Sequence, residues 1–237
     1  MTKRKGFSAS CLVGLIGLGA GFFSCTRPVM GDYPVRGIDV SHYQKLIDWR
    51  KIGDAGISFV FVKATEGIAM KDTHFNRNWH RIRKEGLRRG AYHFFRPAIS
   101  AQRQAIHFCK SVRLEQGDFP PILDVEVLDG VSGKELREGV RTWMTYVELQ
   151  YGAKPILYSN QKFYNRHLRN AFKDYPLWIA RYNAREPRLR DGSKWLFWQY
   201  TNKGRLPGIE EPTDFNVFQG SLEELAQHTL GYSAKGE

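Results

Sequence analysis

Residues 58–63 read SFVFVK and form an almost unbroken run of β-branched and aromatic side chains. Such a run predicts a strand that is buried on both faces. Strands of this kind belong to parallel sheets, because crossover helices cover both faces of the sheet. The stretch therefore favours an α/β fold.

Seven further short apolar runs have the same character, at residues 35–40, 90–95, 121–127, 155–159, 177–182, 195–201 and 213–218. Amphipathic segments separate the first six runs, near residues 45–55, 75–88, 101–115, 133–151 and 161–173. Eight strands and five helices predict an irregular TIM-like barrel of the α/β class. The gaps after the sixth run have no helical period, so the last part is expected to be antiparallel or irregular.

Composition agrees with a packed domain. The 237 residues are 42% apolar and 14% aromatic, which excludes wholesale disorder, and three cysteines are too few for a disulfide scaffold. No linker divides the region after the N-terminus. We therefore expect one barrel domain, the catalytic one, over residues 36–228 and a flexible tail over residues 229–237.

The N-terminus has the pattern of an export signal. Three basic residues precede an apolar run at 11–23, and a small residue leads to Cys25. Thirteen residues of helix span ~20 Å, less than the ~30 Å of a bilayer core. We predict a signal peptide at 1–24, then a lipidated Cys25 and short tether at 25–35; the alternatives are an uncleaved anchor or a plain secretory signal. The expected location is the bacterial cell envelope, as a lipoprotein of the outer membrane, periplasm or surface.

Loss of residues 1–24 removes three positive charges and no negative one, so the formal net charge falls from +12 to +9. The densest basic run, over residues 81–89, is interpreted as a solvated outer face, and no nucleic-acid partner is expected. Cys109 lies on an apolar helical stripe and is expected to be a buried, inert thiol. The histidines have no zinc-ligand spacing, so neither a metal nor a cofactor is expected.

Four acidic residues stand at strand ends, where parallel barrels carry their function. Asp39 ends the first run, Asp124 and Glu126 lie in the fourth, and Asp214 opens the eighth. Two positions apart on a strand, Asp124 and Glu126 face the same side about 6.6 Å apart. Repulsion and burial should keep one of them protonated near neutral pH, as a glycosidase requires.

Two other interpretations of these acidic residues stay open, namely a solvated strand end and a Ca²⁺ or Mg²⁺ site. Aromatic residues near the same strand ends favour a sugar site over a metal site. They are Tyr43, Tyr92, Phe94, Tyr158, Trp178, Tyr182, Trp198 and Tyr200.

Seven motifs, in order, resemble glycoside hydrolase family 25, the lysozymes of the Chalaropsis type. They are GIDVS with YQ at 37–44, FVKATEG at 61–67, GAYHF at 90–94, LDVE at 123–126, LWIARY at 177–182, WQYT at 198–201 and DFN at 214–216. The resemblance spans roughly residues 35–225. It implies a barrel of eight strands and five helices, in agreement with the count above.

The resemblance also implies an exported, retaining lysozyme that cleaves the β-1,4 bond from N-acetylmuramic acid to N-acetylglucosamine in peptidoglycan. Glu126 would be the acid and then the base. Asp124 would assist the substrate's 2-acetamido group, unless an Asp attacks directly, and Asp39 and Asp214 would hold the pair's geometry. The expected sugar-binding residues are Tyr92, Tyr158, Trp178, Tyr43, Phe94 and Gln199.

The expected partners are peptidoglycan glycan strands and, through a lipid on Cys25, a membrane; the protein is expected to be monomeric. Two alternatives stay open. One is a glycan-binding lipoprotein without activity, and the other is a hydrolase of another N-acetylated glycan such as chitin. In the last motif Thr213 precedes Asp214 where the family commonly has an apolar residue, and no loss of function is expected from this difference.

Overall fold

The computed structural model of the chain describes residues 33–183 and 185–233. The predicted signal peptide, Cys25 and most of the tether lie outside the described residues. So do Ala184 and residues 234–237, the end of the predicted tail.

Nine strands are present in the described part of the chain: β1 (Arg36–Val40), β2 (Phe59–Glu66), β3 (Met70–Lys71), β4 (Arg88–Phe94), β5 (Ile122–Asp124), β6 (Ile156–Asn160), β7 (Leu177–Ala180), β8 (Phe197–Leu206) and β9 (Ile209–Phe218). The α-helices there are α1 (Trp49–Asp54), α2 (Phe75–Lys84), α3 (Ala101–Ser111), α4 (Gly133–Tyr151), α5 (Gln161–Phe163) and α6 (Leu222–Gln227). A 3-10 turn at His42–Gln44 follows β1, and a π-helical turn at Tyr164–Leu168 continues α5.

Eight strands close into a barrel in the order β1-β9-β8-β7-β6-β5-β4-β2, and β2 pairs with β1. All neighbours are parallel except β9, which is antiparallel to both β8 and β1. The exception follows from the connection, because only two residues, Pro207 and Gly208, join β8 to β9, and parallel strands need a long crossover. Gly208 has φ +96°, and a Cβ there would lie 2.7 Å from the Asp48 carbonyl oxygen.

The predicted eight-strand barrel with an irregular last part is confirmed. The structure adds the two-residue strand β3, which pairs with β2, and the sixth helix α6. Helix α6 begins at a capping box in which Ser221 and Glu224 bond each other's backbone N–H. Its Leu225 is fully buried with residues of the barrel interior. This short helix carries too few apolar residues to show a helical period in sequence.

The barrel interior is packed with aromatic rings at its lower end. Phe59, Phe61 and Phe197 are fully buried, with ring centroids 5.0–5.2 Å apart. Gly37 leaves room for them, because a Cβ there would lie 2.4 Å from the Phe59 ring, and Gly90 does so beside Phe61. We call this cluster of Phe59, Phe61 and Phe197 the aromatic plug. Since interior positions alternate along a strand, the next interior residues toward the carboxyl ends lie above the aromatic plug.

The helices form the outer layer and pack against the outer faces of the strands. On α4 the predicted apolar stripe is confirmed, since Leu136, Val140 and Trp143 are fully buried.

The basic run over residues 81–89 is only partly the solvated face that the sequence predicted. Arg89 is 4% exposed, and its guanidinium bonds Asp118 Oδ1 at 2.7 Å. It turns inward because an interior carboxylate is available to neutralise it.

None of the helices in residues 33–183 and 185–233 is long and apolar enough to cross a bilayer. Cys109 is partly buried rather than fully enclosed, and burial raises the pKa of its thiol to about 11. A thiol with so high a pKa is protonated near neutral pH, in agreement with the expectation of an inert cysteine.

Candidate active site

A cavity of ≈ 250 Å³ opens at the carboxyl ends of the parallel strands, directly above the aromatic plug. All four acidic residues singled out in the sequence line it. So do all six expected sugar-binding residues, together with Tyr182 and Lys63. The complete lining is Asp39, Val40, Ser41, Tyr43, Gln44, Lys63, Tyr92, Phe94, Asp124, Glu126, Tyr158, Trp178, Tyr182, Gln199 and Asp214.

Asp39 lies near the end of β1 and is only 7% exposed. Its Oδ2 accepts hydrogen bonds from Gln199 Nε2 at 2.8 Å and from Asn216 Nδ2 at 2.7 Å. The two amides are themselves held, because Tyr158 and Tyr182 both donate to Gln199 Oε1 at 2.9 Å. Trp178 Nε1 donates to Asn216 Oδ1 at 2.8 Å. The carboxylate therefore sits in a fixed orientation at the end of a hydrogen-bonded network.

Asp214 lies in the middle of β9, not at the start of a strand as the sequence indicated, because the hairpin lengthens β9 to Ile209. It is the antiparallel partner of Asp39, which places two carboxyls directly across from each other. Burial, then repulsion from Asp214, raises the pKa of Asp39 well above its usual range. Burial together with the Glu126 charge raises the pKa of Asp214 to about 6.

Asp124 is the last residue of β5, and Glu126 lies beyond the strand, which is shorter than the predicted run. The chain nevertheless stays extended, because Val125 N–H donates to the Tyr158 carbonyl at 3.0 Å. The Val125 carbonyl in turn accepts from Ser159 Oγ at 2.7 Å. Val125 is fully buried among the outer-layer residues, so Asp124 and Glu126 both face the cavity. The same-face prediction is thus correct, although Glu126 is not in a strand.

Burial, followed by repulsion from Glu126, raises the pKa of Asp124 well above its usual range. Burial also raises the pKa of Glu126. The Lys63 ammonium opposes both shifts. Asp124 Oδ1 is buried and accepts no hydrogen bond from the described residues. The pair thus binds a proton more tightly than free carboxyls do, and no hydrogen bond from the described residues holds Oδ1 of Asp124 in place.

Lys63 is a site residue that the sequence analysis did not identify. Its side chain is buried in the second half of β2, and its Nζ lies 2.7 Å from Oε2 of Glu66, the last residue of that strand. Arg96 pairs with the other Glu66 oxygen at 2.7 Å. The ammonium also lies 5.0 Å from the centre of the Phe94 ring. The signal was present, because Lys63 is a charge at the end of the buried run 58–63, the pattern used to find the acidic residues.

Two aromatic residues predicted near the sugar site lie elsewhere. Trp198 and Tyr200 flank Gln199 on β8, so their side chains point out of the barrel while Gln199 points in. Trp198 Nε1 donates to the Arg181 carbonyl at 2.9 Å.

Asn216 is a second site residue that the sequence analysis did not identify. It lies two residues after Asp214 on the same face of β9, a spacing that could have identified it.

The described residues contain no group of three or more His, Cys, Asp or Glu side chains arranged to hold a metal ion. The four cavity carboxyls, which the sequence left open as a Ca²⁺ or Mg²⁺ site, do not form such a group. Their neighbours are instead amides and hydroxyls directed at Asp39, the Lys63 cation and several aromatic faces. Carboxyls of raised pKa beside aromatic faces can transfer protons to a bound sugar.

We expect Asp214→Asn to stabilise the protein at pH 7 by about 1–3 kcal/mol, or ~2–4 °C in Tm per kcal/mol. The folded-state pKa of about 6 lies above the usual value of 3.8, so the folded protein holds this proton more tightly. Ionisation therefore costs stability as the pH rises through about 4 to 6. Thermal unfolding at pH 7 and pH 4 measures the effect, which should be several-fold smaller at pH 4.

Asp174→Asn, at an exposed aspartate, is the matched control and should change the Tm little at either pH. An Asp214→Asn protein that is less stable than wild type at pH 7 would show that its ionised carboxylate contributes favourable contacts instead.

A family model described as glycosyl hydrolases family 25 matches residues 38–209. Among similar proteins, YegX of Escherichia coli strain CFT073 is 43% identical over 258 aligned positions, covering 95% of this chain and 94% of YegX. "Lysozyme M1" of Streptomyces globisporus is 33% identical, covering 88% of this chain and 76% of that protein.

Two solved structures have similar folds. A family 25 glycosyl hydrolase from Bacillus anthracis has a TM-score of 0.80 at 36% identity, covering 84% of this chain and 95% of that structure. A bacterial lysozyme from Streptomyces coelicolor has a TM-score of 0.76 at 31% identity, covering 81% and 95%.

Proposed function

Because this chain belongs to glycosyl hydrolase family 25 and is a glycoside hydrolase, we propose that it is a lysozyme that cleaves peptidoglycan. The bond cleaved is the β-1,4 bond from N-acetylmuramic acid to N-acetylglucosamine, with retention at the anomeric carbon. The observation that carries the proposal is the convergence of Asp39, Asp124, Glu126 and Asp214 in one cavity lined by tyrosines and a tryptophan.

Glu126 is the proposed acid and base. It is more exposed than Asp124 and lies on the loop after β5, so a glycosidic oxygen entering the cavity reaches it first. As the C1–O bond breaks, Glu126 gives its proton to the leaving oxygen. It later takes a proton from the water that attacks C1, which returns it to the starting state.

Asp124 is the proposed partner of the substrate's 2-acetamido group. Asp124 lines the cavity, and its Oδ1 accepts no hydrogen bond from the described residues, so the carboxyl can turn an oxygen toward the acetamido N–H. That bond favours ionised Asp124 and leaves the shared proton on Glu126. The acetamido carbonyl oxygen then attacks C1 opposite the leaving group, and water reopens the ring formed. Two inversions give retention.

Asp39 and Asp214 are proposed to hold the geometry and protonation of the pair. Gln199 and Asn216 fix Asp39, and the negative charge of Asp39 favours a protonated Asp124. Asp214 lies across from Asp39 and raises the pKa of Asp39 by repulsion. Tyr92, Tyr158 and Trp178 are proposed to contact the sugar in the innermost position, and Tyr43 and Phe94 to contact it nearer the mouth.

Mass spectrometry of the products tests the activity. Purified peptidoglycan should release fragments with N-acetylmuramic acid at the reducing end, whereas chitin oligomers should stay intact. Release of chitin fragments instead would assign the enzyme to another N-acetylated glycan. Binding of peptidoglycan without any fragment would identify a glycan-binding protein.

We also propose export to the bacterial cell envelope, with residues 1–24 as the signal peptide and a lipid on Cys25. The support is the basic and apolar pattern before Cys25. Fatty-acid labelling of the expressed protein measures it, and Cys25→Ser should abolish the label. The barrel is proposed to act as a monomer.

We expect Lys63→Met to move the pH–activity profile to higher pH and to lower the rate at pH 6. The Lys63 charge opposes the raised pKa of both Asp124 and Glu126, so its loss lets both rise further. More of the Asp124 carboxyl is then protonated at pH 6, where the reaction needs it ionised. The readout is kcat/KM across pH 4–9.

Lys134→Met, at an exposed lysine of α4, is the control and should leave the profile unchanged. A Lys63→Met enzyme whose rate falls equally at every pH would make Lys63 a purely structural residue.

A further inference from the structure

A second concave surface lies at the same end of the barrel as the cavity. We call it the basic groove; its volume is ≈ 560 Å³, and its lining is Gln161, Lys162, Asn165, Arg166, Arg169, Arg188 and Arg190. The first five follow β6 and the last two follow β7, both parallel strands of the barrel. The groove therefore lies on the rim where loops carry function in barrels of this type.

The basic groove and the catalytic cavity are neighbours along the rim of the barrel. A hollow of ≈ 440 Å³ lies between them. Tyr182 lines both the cavity and this hollow, and Gln161 and Lys162 line both the hollow and the basic groove. A chain attached to a sugar in the cavity can thus pass Tyr182 and enter the groove without leaving the protein surface.

The five cations of the groove are not neutralised by ion pairs. Within residues 33–183 and 185–233 no carboxylate lies within 4.0 Å of the charged nitrogens of Lys162, Arg166, Arg169, Arg188 and Arg190. Five exposed cations on one concave surface attract anions, and the attraction is strongest at low salt.

Asp191 follows Arg190 in the chain, but its carboxylate is engaged with the loops. It accepts hydrogen bonds from Asn170 N–H at 2.8 Å and from Tyr164 Oη at 3.0 Å. The adjacent acid therefore serves the local structure and leaves the groove positive.

Side chains of the first loop fix the backbone of the second. Gln161 Oε1 accepts from Arg188 N–H at 2.9 Å, and Asn165 Oδ1 accepts from Arg190 N–H at 2.8 Å. The walls of the groove are thus joined to each other, and Arg188 and Arg190 project from a backbone that is held in place. A preorganised wall lowers the entropy cost of binding a ligand.

We propose that the basic groove binds the free carboxylates of the stem peptide on the muramic acid that occupies the cavity. This proposal rests on the proposed function, because that sugar carries the peptide on its lactyl group. An extended peptide of four residues spans roughly 14 Å, enough to cross from one strand end to its neighbour ~5 Å away and into the loops. Tethering to the bound sugar gives its carboxylates a high effective concentration at the groove.

The test compares two substrates, peptidoglycan glycan strands with their stem peptides and the same strands after an amidase has removed them. The double variant Arg188→Ser/Arg190→Ser should lower the ratio of kcat/KM on the first substrate to that on the second by about tenfold. The fall should come mainly from KM, and the ratio for wild type should approach that of the variant at 0.5 M salt, where charges are screened.

Arg77→Ser/Arg81→Ser is the matched control. It removes two exposed arginines from α2, which packs across the barrel from β6 and β7, and it should keep the wild-type ratio. An unchanged ratio in the groove variant, or an equal fall in the control, would overturn the proposal. The proposal would also be overturned if the groove variant lost binding to vesicles of anionic phospholipid while its kcat/KM ratio stayed unchanged. That result would make the groove a membrane contact.

The outcomes separate the groove from the proposed function. A wild type that cleaves neither substrate refutes the lysozyme activity and leaves the groove testable by calorimetry with a soluble muramyl tetrapeptide. Wild-type binding that the Arg188→Ser/Arg190→Ser variant loses would support the groove. Equal binding by both would refute it.

Discussion

Replacing Glu126 by Gln should lower kcat on peptidoglycan by at least ~10²–10⁴-fold and change KM little. The amide has the size of the carboxyl but no proton to give to the leaving oxygen, and it cannot take one from water afterwards. The buried position that raises the pKa of Glu126 would then hold a group without acid–base function. Release of reducing ends from purified peptidoglycan measures the loss.

Glu138→Gln is the matched control, because Glu138 is exposed on α4 with only a long, 3.9 Å contact to Lys134. It should be as active as wild type. Thermal unfolding of Glu126→Gln at pH 5 and pH 7 confirms that the variant is folded. If a folded Glu126→Gln enzyme clears peptidoglycan at the wild-type rate, another group is the acid, and Asp214 becomes the first candidate since its pKa is about 6.

Asp124→Asn should lower kcat/KM on fully N-acetylated glycan by about 10²–10³-fold, the range found when one preorganised charge-stabilising group is lost. The amide cannot stabilise the positive charge that develops on the acetamido group. The alkaline limb of the pH profile should also move to lower pH. The two carboxyls repel each other, so removing one charge lets Glu126 lose its proton more easily.

A substrate without acetyl groups separates the two possible roles of Asp124. If it assists the acetamido group, wild type should be slow on de-N-acetylated glycan, and Asp124→Asn should cost little more there. A direct attack by the Asp124 carboxylate predicts the same fold-loss on both substrates. Asp174→Asn is the control for a surface aspartate and should match wild type on both.

The alternation of short apolar runs with amphipathic segments was enough to predict the barrel, because interior strands and crossover helices each impose a period on the sequence. The β8–β9 hairpin shows the limit. Its outer half carries exposed residues such as Lys203 and Arg205, since it extends beyond the core and needs no apolar face. The sequence therefore predicted the β8 run only to residue 201.

In the cavity too, the sequence predicted some features and left others to the structure. A carboxylate inside an apolar run is visible in the sequence, because its burial is costly unless the site uses it. The sequence did not show in the same way which of Trp198, Gln199 and Tyr200 faces the cavity. Gln199 faces the cavity and Trp198 faces outward because of the register of β8 on β7, where Ala180 pairs with Gln199. Aromatic residues alone do not report which face they occupy.

The amino-acid sequence by itself determined the strand and helix periods, the four acidic positions and the family, since these depend on residue type and local spacing. Only the tertiary structure decided which charges meet. Lys63 beside Asp124, Asp39 across from Asp214 and the arginines beyond Tyr182 come from strands and loops far apart in the chain. Barrel closure brings them together, and the resulting burial and repulsion set the pKa values that the chemistry uses.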